Sequence, residues 1–415
     1  MRDTDDPTGR QPLHADAWGL DPAIAMLNHG SFGACPRAVL AAQDRLRAEL
    51  EREPVLFFER RMQPLLDDAR RALAELIGAD PLDVVFVNNA TAGVNAVLRS
   101  LRLQPGDELL VTDHSYNACR NVAEFVAGQT GARVVVAAVP SPIQSSGQVL
   151  DAVLSRATRR TRLALLDHIT SPTAVIFPVE QLVRQLDSRG VDTLIDGAHA
   201  PGTIPLDVQR IGAAYYTGNC HKWLCAPKGA GFLHVRPDRQ EQIHPPVISH
   251  GFNTPRPGRS RFHTLFDWAG TDDPSAWLCV GEAIRFLGGL LAGGLAGLMR
   301  RNHELAAAGR RLLCEALPVR ATCPEDMIGS MAAMHLPDDA AESTAGKALV
   351  GFYHPLHDEL LGRFGIEVPV YHWPAAPRKV LRISAQAYNS LAQYERLVTA
   401  LAELWSGQTP FHAQE

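Results

Sequence analysis

Apolar runs of strand length alternate with amphipathic helical patterns between about residues 84 and 235. This alternation is typical of a mainly parallel sheet sandwiched by helices, because parallel strands are joined by crossover helices. The sequence therefore predicts an α/β fold. From about residue 286 onward, helical and strand patterns mix as they do in α+β domains. We expect an N-terminal arm at 1–21, a large domain at 22–285 and a smaller α+β C-terminal domain at 286–415.

One apolar run of this region, VDTLID, ends in the acid Asp196 and is followed by the turn-forming sequence GAHAPG. The run is typical of a buried parallel strand. Ligands of open α/β sheets bind beyond the carboxyl ends of the strands, so we expect Asp196 to face a ligand. A carboxylate in that position keeps the pyridine nitrogen of pyridoxal phosphate protonated, which lets the ring withdraw electrons from a carbanion.

The stretch YYTGNCHKWLCAPKGAGFLHV, residues 215–235, places Lys222 between His221 and Trp223 on a short connection. A single loop lysine is ordinarily a solvent-exposed side chain. An enclosed lysine has a lowered pKa, and its neutral amine reacts with an aldehyde to form a Schiff base. The acid at the preceding strand end favours this second interpretation for Lys222.

The motif DGAHAPG, followed by TGNCHKW, resembles the class V branch of the fold-type I enzymes that depend on pyridoxal phosphate. Within that branch the chain is most similar to the isopenicillin N epimerase-like group, and it also resembles lyases of cysteine S-conjugates and sulfoxides. The resemblance runs from LNHGSFG at 27–33 to LRISAQAYNS at 381–390. It implies pyridoxal 5'-phosphate as cofactor, with Lys222 and Asp196 as catalytic residues.

The phosphate of this cofactor is expected at a helix N-terminus. A strand, VVFV, leads into a helix that begins near Thr91 and Ala92, and a helix start offers free N–H groups and a positive dipole end. A threonine there is also an ordinary N-cap residue. The resemblance assigns the phosphate to Thr91 and Ala92, and it implies a homodimer in which Thr271 reaches the cofactor phosphate of the neighbouring subunit.

The ring of the cofactor is assigned by the resemblance to residues of the following loops. His114 is expected over the ring face as a further catalytic residue, with Tyr116 as a second candidate for that neighbourhood. Hydrogen bonds to the ring 3-oxygen are expected from Ser171 and His199. The remaining predicted cofactor contacts flank the lysine and are Asn219 and His221.

Substrate contacts are predicted at both ends of the matched region. Arg382 lies in the strand-like VLRIS, and its planar fork of donors suits a carboxylate. The resemblance assigns the α-carboxylate to Arg382. The other residues expected at the substrate are Asn28, His29, Gly30, Tyr116, Tyr371 and His372.

Composition and other motifs exclude several classes of function. The net charge of −5 gives no basic nucleic-acid surface, and no G-x-G-x-x-G follows a strand. The N-terminal segment has no apolar signal-peptide core, and the apolar stretch at 286–299 is shorter than the ~20 residues of a membrane span. Seven cysteines without C-x-x-C spacing suggest reduced thiols, and no metal set is evident. We expect a cytoplasmic protein that acts on a small-molecule amino-acid substrate.

The expected chemistry begins when Lys222 removes the Cα proton as a general base. Loss of a β-sulfur group, epimerisation and transamination remain open as outcomes, and a catalytically inactive binding protein is a further alternative. Epimerisation needs a second acid, for which Tyr116, His29 and Cys220 are candidates. The loop EVPVYHWPAAPRKV lacks a thiol, which argues against a persulfide-forming cysteine desulfurase, and its large rings favour a bulky substrate. We therefore favour C–S cleavage of an S-conjugated cysteine.

Overall fold

The computed structural model describes residues 12–338 and 354–406 of the chain. Its N-terminal part consists of a short strand and helices that lead into the central sheet. These elements are β1 (Ala25–Met26), α1 (His29–Phe32), α2 (Arg37–Arg52), α3 (Pro54–Leu56) and α4 (Met62–Ile77), with a π-helical turn at Phe57–Arg61 before α4. The segment LNHGSFG, at the start of the region that carries the resemblance, contains one turn of helix, α1.

A seven-stranded sheet forms the centre of the molecule. Its strands are β2 (Val84–Val87), β3 (Glu108–Thr112), β4 (Arg133–Ala137), β5 (Thr161–Asp167), β6 (Asp192–Gly197), β7 (Tyr215–Asn219) and β8 (Gly231–Val235). Their spatial order is β2-β8-β7-β6-β5-β3-β4. Strand β8 is antiparallel to both of its neighbours, and the other pairs are parallel. The predicted mainly parallel sheet is confirmed.

Helices cover both faces of this sheet. They include α5 (Ala90–Ser100), α6 (Asn117–Thr130), α7 (Ser146–Leu154), α8 (Val179–Asp187), α9 (Val208–Ile211), α10 (Arg261–Phe266), α11 (Ser275–Leu278) and α12 (Val280–Gly288). Successive strand residues face opposite sides. Leu110 therefore packs in one hydrophobic cluster, while Leu109 and Val111 pack in another. Burial on both faces explains why the strands are apolar throughout.

The C-terminal region forms a smaller α+β unit. Its elements are α13 (Gly294–Ala316), β9 (Arg320–Ala321), β10 (Met331–His335), α14 (Pro355–Phe364), β11 (Ile366–Glu367), β12 (Val370–His372), β13 (Lys379–Ser384) and α15 (Leu391–Ser406). Strands β12-β13-β10-β9 form an antiparallel sheet, and β11 pairs in parallel with the N-terminal β1. The N-terminal segment is thus hydrogen-bonded to the C-terminal unit.

The apolar stretch at 286–299 spans two helices rather than one linking helix. Helix α12 ends at Gly288 and α13 begins at Gly294, where the backbone has a φ of +61°. Glycine tolerates this left-handed conformation, so the chain can turn sharply between the two helices. Within the part of the chain that the structure describes, none of the helices is both long and apolar enough to cross a membrane.

A buried network of ion pairs fixes the segment before α10 to helix α4. Arg70 of α4 donates to Asp267 at 2.6 Å, and both side chains are nearly inaccessible to solvent. Arg259 donates to Asp267 at 3.2 Å and to Asp67 at 2.7 Å. Each charge in this network depends on the others, because an unpaired buried charge is strongly destabilising.

We expect Asp267→Asn to lower the free energy of unfolding by about 3 kcal/mol, because it leaves two guanidinium groups without their shared buried acceptor. A urea-unfolding midpoint, measured on the cofactor-free protein, checks the change. The matched control is Asp68→Asn, which breaks the exposed Arg71–Asp68 pair and should cost less than about 1 kcal/mol. Equal effects of the two variants would contradict the prediction.

Candidate active site

A cavity of about 220 Å³ lies where β5, β6 and β7 reach their carboxyl ends. This is the position expected for a ligand of an α/β sheet. Its walls consist of Ser31, Phe32, Asn89, Ala90, Thr91, Tyr116, Asp167, Ile169, Ser171, Asp196, Ala198, His199, Asn219, His221 and Lys222. Eight residues that the sequence predicted at the site are among them: Thr91, Tyr116, Ser171, Asp196, His199, Asn219, His221 and Lys222.

Lys222 lies just beyond β7, on the connection to β8. Burial is the main cause that lowers the pKa of its amine to about 8, and the charge of Arg382 acts in the same direction. The Nζ atom lies 3.2 Å from Nε2 of His199, and the other ring nitrogen of His199 accepts a hydrogen bond from the indole N–H of Trp223 at 3.3 Å. Hydrogen bonds therefore link the side chains of Trp223, His199 and Lys222 in that order.

This chain determines which atoms carry protons. An indole N–H can only donate, so Nδ1 of His199 must be an acceptor. Burial and the nearby cations lower the pKa of His199 well below its usual range, so the ring is neutral. Its single proton then lies on Nε2, so the 3.2 Å contact is a hydrogen bond when Lys222 is the neutral amine, the form that dominates above its pKa of about 8. The hydrogen bonds thus favour the nucleophilic and basic form of Lys222.

Asp196 occupies the buried end of the cavity at the carboxyl end of β6. Its carboxylate accepts the backbone N–H of Ala198 at 3.0 Å and the thiol of Cys119 at 3.1 Å. Its register partner on β5 is a second acid, Asp167, which also lines the cavity. Asp167 was not among the residues predicted at the site, although the run LALLD ends in an acid just as VDTLID does. Two neighbouring parallel strands ending in Asp would have signalled the pair.

The start of α5 forms one wall of the cavity. The side chain of Asn89 caps the helix by accepting the N–H of Ala92 at 2.9 Å, and Asn219 accepts the N–H of Ala90 at 2.8 Å. Ala92 was predicted to bind phosphate, but its N–H is already used by the cap. Among the hydrogen bonds of the described residues, the N–H of Thr91 has no acceptor. Thr91 is therefore the residue of the predicted pair that is placed to bind an anion.

Taken together, the walls fit pyridoxal phosphate. Lys222 offers a neutral amine, Asp196 a buried carboxylate, and His199 an N–H donor. Thr91 adds a free N–H and a hydroxyl at a helix start, where an anion is stabilised. These are the groups that an aldehyde, a pyridine nitrogen, a phenolic oxygen and a phosphate require.

Arg382 of β13 approaches the cavity from the C-terminal unit and is fully buried. Its guanidinium donates to the carbonyl oxygen of Ser171 at 2.7 Å, to Asn28 at 3.2 Å and to the hydroxyl of Ser31 at 2.9 Å. Its Nε atom has no hydrogen-bond partner among the described residues. The ring of Tyr371 lies over the guanidinium, with the ring centroid 5.4 Å from Cζ.

The predicted residues Asn28 and Gly30 position this arginine. Asn28 donates to Glu367 at 2.7 Å while its carbonyl oxygen accepts from Arg382. Gly30 donates its N–H to Ser384 at 3.1 Å. A Cβ atom on Gly30 would lie 2.5 Å from the sulfur of Met331 and 3.4 Å from Nη2 of Arg382, so a larger residue would displace the site.

His114, predicted over the cofactor ring, lies away from the described walls of the cavity. Among the described residues, those that line the cavity do not include His114, whereas Tyr116 lines it. The His114 ring packs 4.4 Å from Trp373, and its Nδ1 bonds the hydroxyl of Thr173 at 2.7 Å. The turn after β3 directs His114 into the contact with the C-terminal unit. Burial lowers its pKa to about 4, so it is neutral there.

His29 and His372 also lie away from the cavity walls of the described chain. His29 is buried behind Lys222, bonding the backbone oxygen of Lys222 at 3.0 Å and the hydroxyl of Tyr388 at 2.8 Å. Burial lowers the pKa of His29 to about 3. His372 follows Tyr371 on β12 and therefore faces the opposite side of the strand, where its ring lies 5.0 Å from that of His354.

Thr271, expected at a neighbouring subunit's phosphate, is exposed on this single chain and lies outside its cavity. Arg47 and the backbone of Ser275 bond the nearby Asp273, which anchors the segment. Besides Asp167, the wall residues that were not expected from the sequence include Asn89 and Phe32. A count back from the helix start would have shown the capping role of Asn89, and the ring of Phe32 is 66 % exposed at the cavity.

The family model of class-V aminotransferases matches residues 35–344. The chain belongs to the class-V aminotransferase family. It is an enzyme of that family, which agrees with the resemblance seen in DGAHAPG and TGNCHKW. The match covers the large sheet and the start of the C-terminal unit.

Curated relatives cover nearly the whole chain. Isopenicillin N epimerase of Streptomyces clavuligerus is 36 % identical over 399 residues, which span 93 % of this chain and 96 % of that protein. A probable chloroplastic L-cysteine desulfhydrase of Arabidopsis thaliana is 32 % identical over 405 residues, spanning 92 % and 83 %. The hercynylcysteine sulfoxide lyase of Schizosaccharomyces pombe is 28 % identical over 301 residues, spanning 72 % and 76 %.

Solved structures share the fold. The cysteine desulfurase CsdA of Escherichia coli has a TM-score of 0.75 at 22 % identity, covering 94 % of this chain and 97 % of that chain. The cystine C–S lyase C-DES, in complex with its product cysteine persulfide, has a TM-score of 0.77 at 20 % identity, covering 92 % and 97 %. The predicted fold-type I architecture is confirmed.

We expect Trp223→Phe to raise the pKa of Lys222 by about one unit. Without the indole N–H, His199 can place its proton on Nδ1 and accept from a Lys222 ammonium, which stabilises the charged form. The pH dependence of the rate at which the cofactor-free protein condenses with pyridoxal phosphate reports this pKa. Trp277→Phe is the matched control, because its indole N–H bonds the backbone of Gly229 instead. An unchanged or lowered pKa in Trp223→Phe would show that the hydrogen-bond chain does not control Lys222.

Proposed function

We propose that this enzyme uses pyridoxal phosphate to remove the Cα proton of an amino acid with a bulky side chain and to cleave the C–S bond of an S-substituted cysteine. The observation that carries the proposal is the buried amine of Lys222, the one lysine among the described residues of the cavity wall, which bonds His199 and whose pKa burial lowers to about 8. The other bases of the cavity wall are weaker, because burial lowers the pKa of His221 to about 4 and that of His199 well below its usual range.

The side chains divide the work of the reaction between them. Bound pyridoxal phosphate supplies an electron sink for negative charge at the substrate Cα. Nζ of Lys222 takes the Cα proton as general base. Arg382 binds the substrate carboxylate, and its unpartnered Nε gains an acceptor when it does so. Asp196 supplies a negative charge at the buried end of the cavity. Nε2 of His199, which lies beside Lys222, would donate to the phenolic oxygen of the cofactor.

Cleavage of a C–S bond needs no further base. After Lys222 has taken the Cα proton it is an ammonium, and it can return a proton to the departing sulfur. Tyr116 lines the same cavity and is 45 % exposed, so its phenol can also reach a ligand. The exposed ring of Phe32 adds apolar surface, which suits a bulky substituent on sulfur.

Epimerisation is the second candidate, and the isopenicillin N epimerase of Streptomyces clavuligerus, 36 % identical to this chain, favours it. It requires an acid on the face of the substrate opposite Lys222. Of the three residues considered for that role, His29 and Cys220 are buried outside the described cavity walls, and burial raises the pKa of Cys220 far above its usual range. Tyr116 is the residue left to serve as this acid.

A persulfide-forming desulfurase is disfavoured by the position of the thiols. All seven cysteines lie in the described part of the chain, and none of them lines the cavity. Cys323, the nearest upstream of the loop before Arg382, is buried and has a pKa raised to about 11 by burial. We further propose that the enzyme acts in the cytoplasm as a homodimer in which the exposed Thr271 contacts the neighbouring subunit's cofactor.

Lys222 should carry the cofactor. Borohydride reduction of the yellow protein followed by peptide mapping is expected to place the pyridoxyl group on Lys222, one of only four lysines in the chain. Lys222→Ala should lose the label, while Lys228→Ala, whose amine bonds the backbone of Gly33, should retain it. A label on Lys228 in the unaltered enzyme would refute the assignment.

The outcome at Cα is decided by incubation with S-substituted cysteines and other bulky amino acids in D₂O. We expect pyruvate and the free thiol, because one base and a β leaving group suffice. Chirality, deuterium at Cα and pyruvate are measured on the same samples, with Lys222→Ala as the inactive control. Deuterated substrate of inverted configuration without pyruvate would replace the lyase by the epimerase.

A further inference from the structure

Two carboxylates lie side by side at the buried end of the cavity. Asp167 ends β5, and Asp196 is its register partner on the parallel strand β6. Neighbouring strands are about 4.8 Å apart, and register partners project to the same face of the sheet. Both residues are 4 % exposed, and both line the cavity. The structure thus brings two acids together where the mechanism uses one.

Neither acid has a cationic partner among the described residues, whose ion pairs do not include Asp167 or Asp196. Asp196 accepts from the N–H of Ala198 and the thiol of Cys119. The backbone N–H of Tyr116 and the side chain of Ser115 act on Asp167. All of these donors are neutral, so they do not cancel a second negative charge. Two adjacent carboxylates in such surroundings cannot both be ionised.

The surroundings of Asp167 favour its protonated form. Burial, together with the charge of Asp196, raises the pKa of Asp167 well above its usual range. The other groups that face the pair are neutral as well. Burial and Asp196 raise the pKa of Cys119 on α6 and of Tyr216 on β7 well above their usual ranges. Lys222 bonds His199 rather than either acid, and burial lowers the pKa of its amine to about 8.

We propose that Asp167 is a positioning residue that keeps its proton and thereby confines the single negative charge of the pair to Asp196. The inference rests on the proposed function, in which Asp196 faces the pyridine nitrogen of the cofactor. A second ionised acid would repel Asp196, and a proton on Asp196 itself would remove the counter-charge of the ring. Asp167 can also supply the negative charge in place of Asp196. When Asp196 is removed, Asp167 loses its anionic neighbour and can ionise.

A double-mutant cycle on cofactor affinity tests this arrangement. Asp167→Asn alone replaces a neutral acid by a neutral amide, and the Kd for pyridoxal phosphate at neutral pH should change by less than about threefold. In the Asp196→Asn background, Asp167 supplies the only carboxylate. There, adding Asp167→Asn should weaken binding by a further factor of about ten or more. If Asp167→Asn changed the Kd for pyridoxal phosphate by the same factor in both backgrounds, the proposal would be overturned.

Infrared spectroscopy tests the proton directly and without activity. The unaltered protein should show a protonated carboxyl band that persists well above the pH at which aspartate normally ionises. The spectrum of the unaltered protein minus that of Asp167→Asn should contain this band, which assigns it to Asp167. The contributions of other buried acids are the same in both proteins and cancel. A band that titrates at the usual pH of aspartate, or that remains in Asp167→Asn, would overturn the proposal. If the protein bound no pyridoxal phosphate, the proposed function would fail, while the infrared experiment would still report on Asp167.

Discussion

The geometry of the site depends on the burial of one amine. Lys222 is enclosed because the N-terminal turn and the segment after β6 both close against its loop. Gly33 has a φ of +71°, and a Cβ there would lie 2.2 Å from the backbone oxygen of His221. Gly202, with a φ of +85°, approaches the backbone of Trp223 so closely that a Cβ would lie 2.7 Å from it. Glycine permits both contacts, and the resulting exclusion of water lowers the pKa of the amine.

The charges around this amine are separated along the cavity. Asp196, with its neighbour Asp167, lies at the carboxyl ends of the strands. Arg382 approaches the cavity from the C-terminal unit. Arg382 donates to neutral acceptors, and no ion pair joins it to an acid in the part of the chain that is described. A buried charge without a counter-charge is costly. A carboxylate ligand would relieve that cost, which is consistent with the role proposed for Arg382.

The sequence predicted the positions of residues that lie at the ends of strands. It was less successful where the direction of a side chain decides whether a residue faces the cavity. Asp196 and Lys222 were expected in one cavity because carboxyl ends of parallel strands converge, and the structure places both there. In the turn after β3, His114 and Tyr116 differ by two residues, and the composition of a turn does not tell which of them faces the ligand. Tyr371 and His372 are adjacent on a strand, so alternation alone excludes one of them from the face that Arg382 occupies. Asp167 ends the run LALLD as Asp196 ends VDTLID, so the sequence signals two strand-end acids, but only the register between the strands shows that the two lie directly side by side.

The N-terminal turn couples the two halves of the reaction. Asn28 and Ser31 hold the guanidinium of Arg382, and His29, two residues before Ser31, bonds the backbone oxygen of Lys222. At the end of the same turn, the carbonyl oxygen of Gly33 accepts from Lys228, on the loop that carries Lys222. In the proposed mechanism, the arginine that binds the carboxylate and the lysine that acts as base are therefore both hydrogen-bonded to one short segment. Because a general base works only within hydrogen-bond reach of the proton, we infer that this segment sets the distance between the bound carboxylate and the Cα–H bond that Lys222 would attack.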